Sequence, residues 1–361
     1  MATGGGPRPA EGRTQSVLDG LRVPIVQAPL AGGSSTPALT VAVVEAGGFG
    51  FVAAGYRKPD AVREDVAAVR AATDRPFGVN LFVPGAATAA PVYERYVASL
   101  AGEAGSHDVA LGEPRFEDDA WDDKLALLEA DPVAVVSFTF GCPPADVVRR
   151  LQAAGSEAWV TVTSPGEATQ AVAAGADALV AQGIEAGGHR ASFVDGEGGE
   201  FGLLALLQLL GAQTTLPLVA SGGIATGRAV AAALAGGARA AQLGTAFMRC
   251  PEAGTAPVHR EALATPAPTS VTRAFTGRQA RGIVNRFLRE HSADAPAAYP
   301  EVHHVTAPLR AAGRAAGDPE VLNLWAGQTH ELAPEQPAAE VVAAMAAEAG
   351  EALAAARGIL G

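Results

Sequence analysis

The sequence predicts an α/β fold in which a TIM (β/α)8 barrel carries a smaller, mainly helical cap. Eight short apolar runs alternate with Ala-rich stretches of helical character, and five of the runs recur at roughly 20 to 40 residues, which suits the βα units of a closed barrel. The runs are continuous, as in Val-Ala-Val-Val-Ser-Phe, because parallel strands are buried on both faces. A doubly wound open sheet fits this spacing almost as well, and the strand count and the loop chemistry favour the barrel.

The predicted strands and helices alternate along the chain, and glycine marks the end of the first helix. The first run is followed by a predicted helix over residues 36–46 that ends at Gly47-Gly48, and the second by a helix over residues 60–72. The eight predicted strands cover residues 23–28, 49–53, 77–82, 133–140, 158–163, 178–182, 216–220 and 240–243.

Two long segments break the βα repeat: residues 83–132 and the chain from residue 266 onward. Each is too long for a simple crossover. The end of the second segment, residues 337–360, has the apolar spacing of an amphipathic helix. The predicted division is a disordered Gly- and Pro-rich leader over residues 1–18, a barrel over 19–82 and 133–265, and a cap or substrate domain over 83–132 and 266–361.

Composition argues against two classes of function. Of 361 residues, 26 are Lys or Arg and 38 are Asp or Glu, so the net charge is −12, which argues against binding to nucleic acid or to a membrane surface. No apolar run reaches the ~20 residues of a membrane span, and Cys142 and Cys250 cannot form a disulfide framework. We expect a cytoplasmic monomer or homodimer, with the acidic stretch from Glu117 to Asp123 forming a solvated face.

Glycine pairs follow the last two predicted strands. Gly222-Gly223 comes after the seventh strand, and Gly244-Thr245 comes after the eighth. Barrels commonly bind phosphate at these two strand ends, because glycine lets backbone N–H groups approach an anion closely. The other interpretation, that these glycines serve only tight turns, is weakened because the two pairs are adjacent.

Neutral amides are expected near the same barrel mouth, where Asn80, Gln182 and Gln242 end three of the strands. An amide both donates and accepts hydrogen bonds, which suits the mixed polar edge of a flavin ring, although buried structural amides are equally common. Charged residues are missing from these strand ends, which disfavours a Schiff-base lysine or a carboxylate metal cluster.

His189 lies in a glycine-rich loop after the sixth strand, at the end of the barrel where catalytic groups are found. Its imidazole can remove a carbon-bound proton from a substrate or hold an anion.

No metal site is predicted, because neither HExxH nor a Cys/His cluster is present. Other candidates are the pair His303-His304 on the cap side and the basic island of Arg278, Arg281 and Arg286, which either receives an anion or forms a salt-bridged helix face.

Seven motifs, in order and spacing over residues 24–328, together resemble the nitronate monooxygenase family, and particularly its class I branch. The motifs are Gln-Ala-Pro-Leu, Phe-Gly-Val-Asn-Leu-Phe, Gln-Gly-Ile-Glu-Ala-Gly-Gly-His-Arg, Ala-Ser-Gly-Gly-Ile, Gln-Leu-Gly-Thr-Ala-Phe, Thr-Gly-Arg-Gln-Ala-Arg-Gly and Leu-Trp-Ala-Gly-Gln.

The resemblance implies an FMN-dependent enzyme that uses O₂ to oxidise alkyl nitronates, and in some members nitroalkanes, to a carbonyl compound and nitrite. Propionate 3-nitronate and 3-nitropropionate are examples of such substrates. By motif position, His189 would be catalytic, taking the α-proton of a neutral nitroalkane or orienting a nitronate. The implied cofactor-binding residues are Gln27, Ala28, Pro29, Asn80, Gln182, Gly187, Gly188, Gly222, Gly223, Gln242, Leu243, Gly244, Thr245 and Gln328.

Two other functions remain open. One is an FMN-dependent NAD(P)H reductase of the same superfamily, acting on an enoyl thioester or a quinone, since it would share the barrel and its phosphate loops. The other is a barrel without catalytic activity that binds a phosphorylated metabolite or a partner protein.

Overall fold

The computed structural model describes residues 16–197 and 199–360. Strands and helices alternate along most of the chain, as the sequence predicts. In chain order the strands are β1 (Ile25–Gln27), β2 (Phe51–Ala53), β3 (Gly78–Phe82), β4 (Val135–Thr139), β5 (Glu157–Val162), β6 (Ala178–Gln182), β7 (Gly188–His189), β8 (Leu218–Ser221), β9 (Ala240–Leu243), β10 (Thr269–Thr272) and β11 (Ala280–Ile283).

Eight of these strands form a parallel barrel in the order β1-β9-β8-β6-β5-β4-β3-β2. The two ends of this series meet through a parallel bridge between Val26 and Phe49. Each of the eight predicted runs overlaps one barrel strand, so the predicted TIM barrel is confirmed. The apolar runs were informative because a barrel strand is covered on one side by helices and on the other by the barrel interior.

The helices either surround the barrel or cover its mouth. In chain order they are α1 (Pro37–Glu45), α2 (Pro59–Ala72), α3 (Glu94–Ser99), α4 (Ala101–Ser106), α5 (Trp121–Ala130), α6 (Ala145–Ala154), α7 (Pro165–Ala174), α8 (Leu203–Gln213), α9 (Gly227–Ala235), α10 (Pro257–Leu263), α11 (Arg286–His291), α12 (Glu301–Ala316) and α13 (Ala338–Leu360). None of the helices in the described part of the chain is long and apolar enough to span a membrane.

The last helix, α13, completes the outer ring of the barrel. It packs against α9 and α1, and its residues Val341, Val342 and Met345 belong to the barrel's apolar core. Helix α5 likewise packs on α2 and α6. The sequence division placed both helices in the cap, so those boundaries need correction: segment length shows where the repeat breaks but not which surface a helix covers.

The cap contains a small sheet as well as helices. Strand β11 pairs antiparallel with β10 and with β7, so a cap strand reaches the loop that carries His189. The cap segments on either side of the barrel repeat share a separate apolar cluster that includes Tyr96, Phe275 and Phe287. The expectation of a mainly helical cap missed this sheet, although β-branched residues are frequent in β10.

The start of the described chain closes the bottom of the barrel. The backbone N–H of Val17 donates to Glu157 at 2.8 Å, and Leu18 is buried in a cluster with Phe49 and Trp159. Residues 16–18 are therefore not a disordered leader, while the rest of that predicted segment, residues 1–15, lies outside the described residues.

The contact between α9 and α13 gives a stability prediction. Replacing Gly227 in α9 by alanine should lower the free energy of unfolding by about 1–3 kcal/mol, because the added Cβ would lie 2.5 Å from the carbonyl oxygen of Met345. Gly211→Ala in α8 is the matched control, since nothing lies within 4 Å of the added Cβ. It should raise the free energy of unfolding by about 0.5–1 kcal/mol. Chemical denaturation measures both, and an unchanged Gly227 variant would contradict the packing of α13.

Candidate active site

A cavity of about 480 Å³ opens at the carboxyl ends of the barrel strands. Its floor is formed by the ends of β3, β4, β5, β6, β8 and β9, and its other walls come from the loops after barrel strands and from the cap. Of the fourteen residues that the sequence assigns to cofactor binding, eleven line this cavity. These are Ala28, Pro29, Asn80, Gln182, Gly187, Gly188, Gly222, Gly223, Gln242, Gly244 and Thr245, and His189 joins them as the predicted catalytic residue.

The two glycine loops lie at neighbouring strand ends. Gly222 and Gly223 have φ angles of 121° and 66°, which favour glycine over any other residue. A Cβ at Gly223 would also lie 2.9 Å from the Cβ of Glu185. After β9, Thr245 begins a short 3₁₀ turn, and its Oγ1 accepts a hydrogen bond from the N–H of Gly327 at 3.0 Å. The two loops together form a concave backbone surface of the kind that binds anions.

The amide side chains have different roles. The Nδ2 of Asn80 donates to the hydroxyls of Ser137 and Thr139, both at 3.0 Å. Gln182 holds the loop that follows it: its Nε2 donates to the carbonyl of His189 at 3.2 Å, and its Oε1 accepts from the N–H of Ala191 at 2.9 Å. Gln182 therefore fixes the His189 backbone from the barrel side.

His189 is held between barrel and cap. Its backbone pairs with Ala280 of β11, and its Nε2 lies 2.9 Å from the hydroxyl oxygen of Thr276. The rings of Phe140, Tyr299 and Trp325 surround the imidazole at centroid distances of 5.5, 5.8 and 5.5 Å.

This environment keeps the imidazole of His189 neutral. Burial, followed by the positive charges of Arg278 and Arg310, lowers its pKa from 6.5 to about 3. A neutral imidazole at neutral pH can accept a proton, which is the state that a general base requires.

The mouth of the cavity carries a polar and aromatic group of residues that we call the roof. Tyr56, His303 and Arg310 of the roof line the cavity, and Tyr299 joins them through its contacts with His189 and Tyr56. The rings of Tyr56 and His303 are stacked, with centroids 4.4 Å apart, and the hydroxyl of Tyr299 donates to that of Tyr56 at 3.1 Å. An Nη2–H of Arg310 donates to the carbonyl of His303 at 2.7 Å. His303 thus reaches the site, as the sequence suggested.

His304, the other member of the predicted pair, turns away from the roof. Its Nε2 lies 3.1 Å from a carboxylate oxygen of Glu117.

Sequence reasoning missed most of the roof. Tyr56 follows the end of β2, a position where barrel residues reach the mouth, so its place in the chain was a usable signal. His303 and Arg310 are seven residues apart on α12 and therefore share a helix face. Thr276 and Trp325 lie within two of the seven motifs, but nothing in those motifs indicated a contact with His189, because that contact depends on how the cap folds over the mouth.

Three predicted cofactor residues, Gln27, Leu243 and Gln328, do not line the cavity. The side chain of Gln27 is buried between strands, where its Oε1 accepts from the N–H of Phe51 at 3.0 Å. Leu243 is buried in the barrel core, and Gln328 is exposed to solvent. Strand and loop geometry directs these three side chains away from the cavity.

The basic island also lies outside the cavity wall. Arg286 forms ion pairs with Glu103 and Glu290, which matches the salt-bridge interpretation. Arg281 donates to the carbonyl of Ile184 at 3.0 Å. Arg278 stacks over the ring of Phe140 at 4.2 Å and acts on His189 through its charge.

The charge of the cavity wall is opposite to that of the whole chain. Among the described residues that line it are Arg310, Arg314 and three histidines, and none is Asp or Glu. The guanidinium of Arg310 is buried, and its hydrogen bonds go to neutral groups of Thr306 and His303. Its pKa is lowered by burial to about 10, so it is still charged at neutral pH and can bind an anion.

Comparisons with known proteins agree on one family. The family model described as "Nitronate monooxygenase" matches residues 15–348. The chain is 44% identical to a nitronate monooxygenase of Pseudomonas aeruginosa over 92% of this chain and 97% of that protein. A nitronate monooxygenase of Paraburkholderia phytofirmans is 41% identical over 92% of this chain and 93% of that protein.

Solved structures show the same architecture. A nitroalkane oxidase from Streptomyces ansochromogenes aligns with a TM-score of 0.92 at 51% identity, covering 94% of this chain and 99% of that one. FabK from Thermotoga maritima aligns with a TM-score of 0.74 at 29% identity, covering 96% of this chain and all of that one.

The lowered pKa of His189 gives a prediction about pH. Its ring resonances should keep the shifts of the neutral form from pH 8 down to about pH 4.5, and His189→Asn identifies them by their loss. Because the unfolded chain takes up this proton near pH 6.5 and the folded chain does not, the residue should lower stability as pH falls from 6.5 towards 3, by up to about 1.4 kcal/mol per pH unit. An NMR titration with a midpoint near pH 6.5 would contradict this.

Proposed function

Because the chain belongs to the nitronate monooxygenase family, we propose that this enzyme uses FMN and O₂ to oxidise alkyl nitronates to carbonyl compounds and nitrite. One observation carries the proposal: a neutral imidazole and two glycine loops face one cavity whose described wall contains no carboxylate. An anionic substrate and a phosphorylated cofactor both match that wall in charge.

The residues present fit a flavin mononucleotide. The cavity volume is within the range of cofactor sites. Glycine is required where two loops of the site meet: a Cβ at Gly187 would lie 2.4 Å from the backbone nitrogen of Gly327. Gly222, Gly223, Gly244 and Thr245 would hold the phosphate, and Asn80 and Gln242 would meet the polar edge of the ring. When bound, FMN supplies the electron acceptor that can in turn react with O₂.

His189 would act at the α-carbon of the substrate. With a neutral nitroalkane, its imidazole accepts the α-proton, and the resulting imidazolium lies beside the new nitronate anion, which offsets the cost of its burial. A nitronate already lacks that proton, so here the imidazole only orients the substrate. Phe140 and Trp325 flank the ring and keep water away from it.

Arg310 favours substrates with a second acidic group. Its guanidinium is buried in the cavity wall without a carboxylate partner among the described residues, so an anion placed against it would remove an electrostatic penalty. A short nitronate with a carboxylate at the other end, such as propionate 3-nitronate, places one anion near His189 and allows the other to reach Arg310.

The function is tested by an anaerobic and an aerobic experiment on the purified, flavin-loaded protein. Propionate 3-nitronate should bleach the flavin absorbance without oxygen and yield nitrite with oxygen, whereas NADH and NADPH should bleach it slowly or not at all. Rapid bleaching by a nucleotide, with no nitrite from nitronates, would instead support the NAD(P)H reductase. A protein that neither contains nor binds a flavin would support the non-catalytic barrel.

The same assay tests the role of His189. His189→Asn should retain FMN but turn over 3-nitropropionate, whose α-carbon is still protonated, about 10²- to 10⁴-fold more slowly, because only that substrate needs a general base. Its turnover of propionate 3-nitronate should fall much less, and an equal loss on both substrates would exclude proton abstraction by this residue.

Removal of the Arg310 charge should weaken binding of carboxylated substrates. Arg310→Met is expected to raise KM for propionate 3-nitronate about 10- to 100-fold, the range for losing a hydrogen bond between charged groups. Propyl 1-nitronate, which lacks the carboxylate, should change much less. Arg314→Met, at an exposed position of the same wall, is the control for a general loss of positive charge. Equal effects of Arg310→Met on the two nitronates would exclude the second anion.

A further inference from the structure

The acidic stretch from Glu117 to Asp123 contains one residue that does not belong to a solvated face. Asp119 is turned inward, and its Oδ2 lies 2.8 Å from the Nζ of Lys124, a lysine whose side chain is 1% exposed. Burial raises the pKa of Asp119 and lowers that of Lys124, while the attraction between the two opposes both shifts. The free energy spent in removing two charges from water offsets much of the attraction between them. A buried ion pair therefore calls for a specific reason.

The pair holds the loop after β2 on both sides of Gly55. The Nζ of Lys124 donates to the carbonyl of Ala54 at 2.9 Å. The Oδ1 of Asp119 accepts from the backbone N–H of Tyr56 at 2.9 Å. The residue before Gly55 and the residue after it are therefore fixed by the two members of one ion pair.

The backbone held in this way is unusual. Tyr56 has a φ of 64°, and Asp119 has a φ of 59°, in the left-handed region that non-glycine residues rarely adopt. Such conformations cost free energy and persist where surrounding contacts enforce them, often at functional sites. Here the enforced residue is a roof residue, whose ring stacks on His303 and whose hydroxyl accepts a hydrogen bond from Tyr299.

We propose that Asp119 and Lys124 are positioning residues that hold Tyr56 in the roof and thereby set the shape of the substrate space opposite the flavin site. This rests on the proposed function, because the roof is assigned to substrate and not to cofactor. The pair lies behind the roof and does not line the cavity, so it would act on substrate binding through Tyr56 alone.

The test is a set of variants that separates positioning from stability. Asp119→Gly removes the carboxylate and still permits the positive φ, and it should raise KM for the nitronate about tenfold, with FMN affinity unchanged and kcat changed by less than threefold. Asp119→Asn should restore part of the loss, because its amide oxygen can accept the N–H of Tyr56. Lys124→Met removes the other member of the ion pair and leaves Asp119, with its positive φ, unchanged. It should also raise KM.

Two comparisons decide whether the effect passes through Tyr56. In a Tyr56→Leu background, Asp119→Gly should add little to KM, since residues that act as one unit are not additive. Leu128→Ala, on the buried face of α5 that also carries Lys124, should destabilise the fold without raising KM. A KM increase that persists in the Tyr56→Leu background, or that Leu128→Ala reproduces, would overturn the proposal.

One readout is independent of turnover. Hydrogen exchange at the amide of Tyr56 should be faster in Asp119→Gly than in the wild type, and close to wild type in Leu128→Ala. If the wild type does not oxidise nitronates, the proposed function fails, while this measurement still tests whether Asp119 holds the loop after β2. Unchanged exchange at Tyr56 in Asp119→Gly would show that the carboxylate does not hold the loop.

Discussion

The site depends on the register of three neighbouring barrel strands. Parallel pairing places Gln182 of β6 beside Ser221 of β8, and Ser221 beside Gln242 of β9. Because Gln182 and Ser221 end their strands and Gln242 is the second-last residue of β9, the loops that follow start at nearly one level of the barrel. The glycine loops and the His189 loop therefore meet around one cavity. A slip of one residue would turn each strand-end side chain to the opposite face of the sheet and separate the loops that form the cavity.

The catalytic candidate also depends on the cap, because His189 lies where barrel and cap meet. Gln182 fixes its backbone from the barrel, while Ala280 and Thr276 hold it from the cap. The aromatic rings around the imidazole come from both parts of the protein. The neutral state of the imidazole is therefore a property of the assembled fold, since neither the barrel nor the cap alone would bury the ring.

The sequence was most informative where burial is two-sided and least where one side chain has several possible directions. Apolar runs predicted all eight barrel strands, and glycine pairs predicted the loops after β8 and β9. Gln27 and Asn80 looked alike in sequence. The side chain of Gln27 forms a hydrogen bond between strands, whereas that of Asn80 faces the cavity. Asp119 was indistinguishable from its acidic neighbours, because its direction is set by the turn before α5 and by Lys124, which lies within that helix. Arg310 was recognisable only after the position of α12 was known.

Local charge, and not net charge, decides which ligand this protein can hold. The chain carries a net charge of −12, which would repel an anion at long range, but salt screens exposed charges beyond a Debye length of about 8 Å. Inside the cavity the screening is weak, and its wall carries the buried cation of Arg310. The same removal of water that lowers the pKa of His189 strengthens the attraction between Arg310 and an anion. One physical condition, burial of both side chains where barrel and cap meet, thus produces both a base that is neutral at neutral pH and a cation that has no carboxylate partner among the described residues.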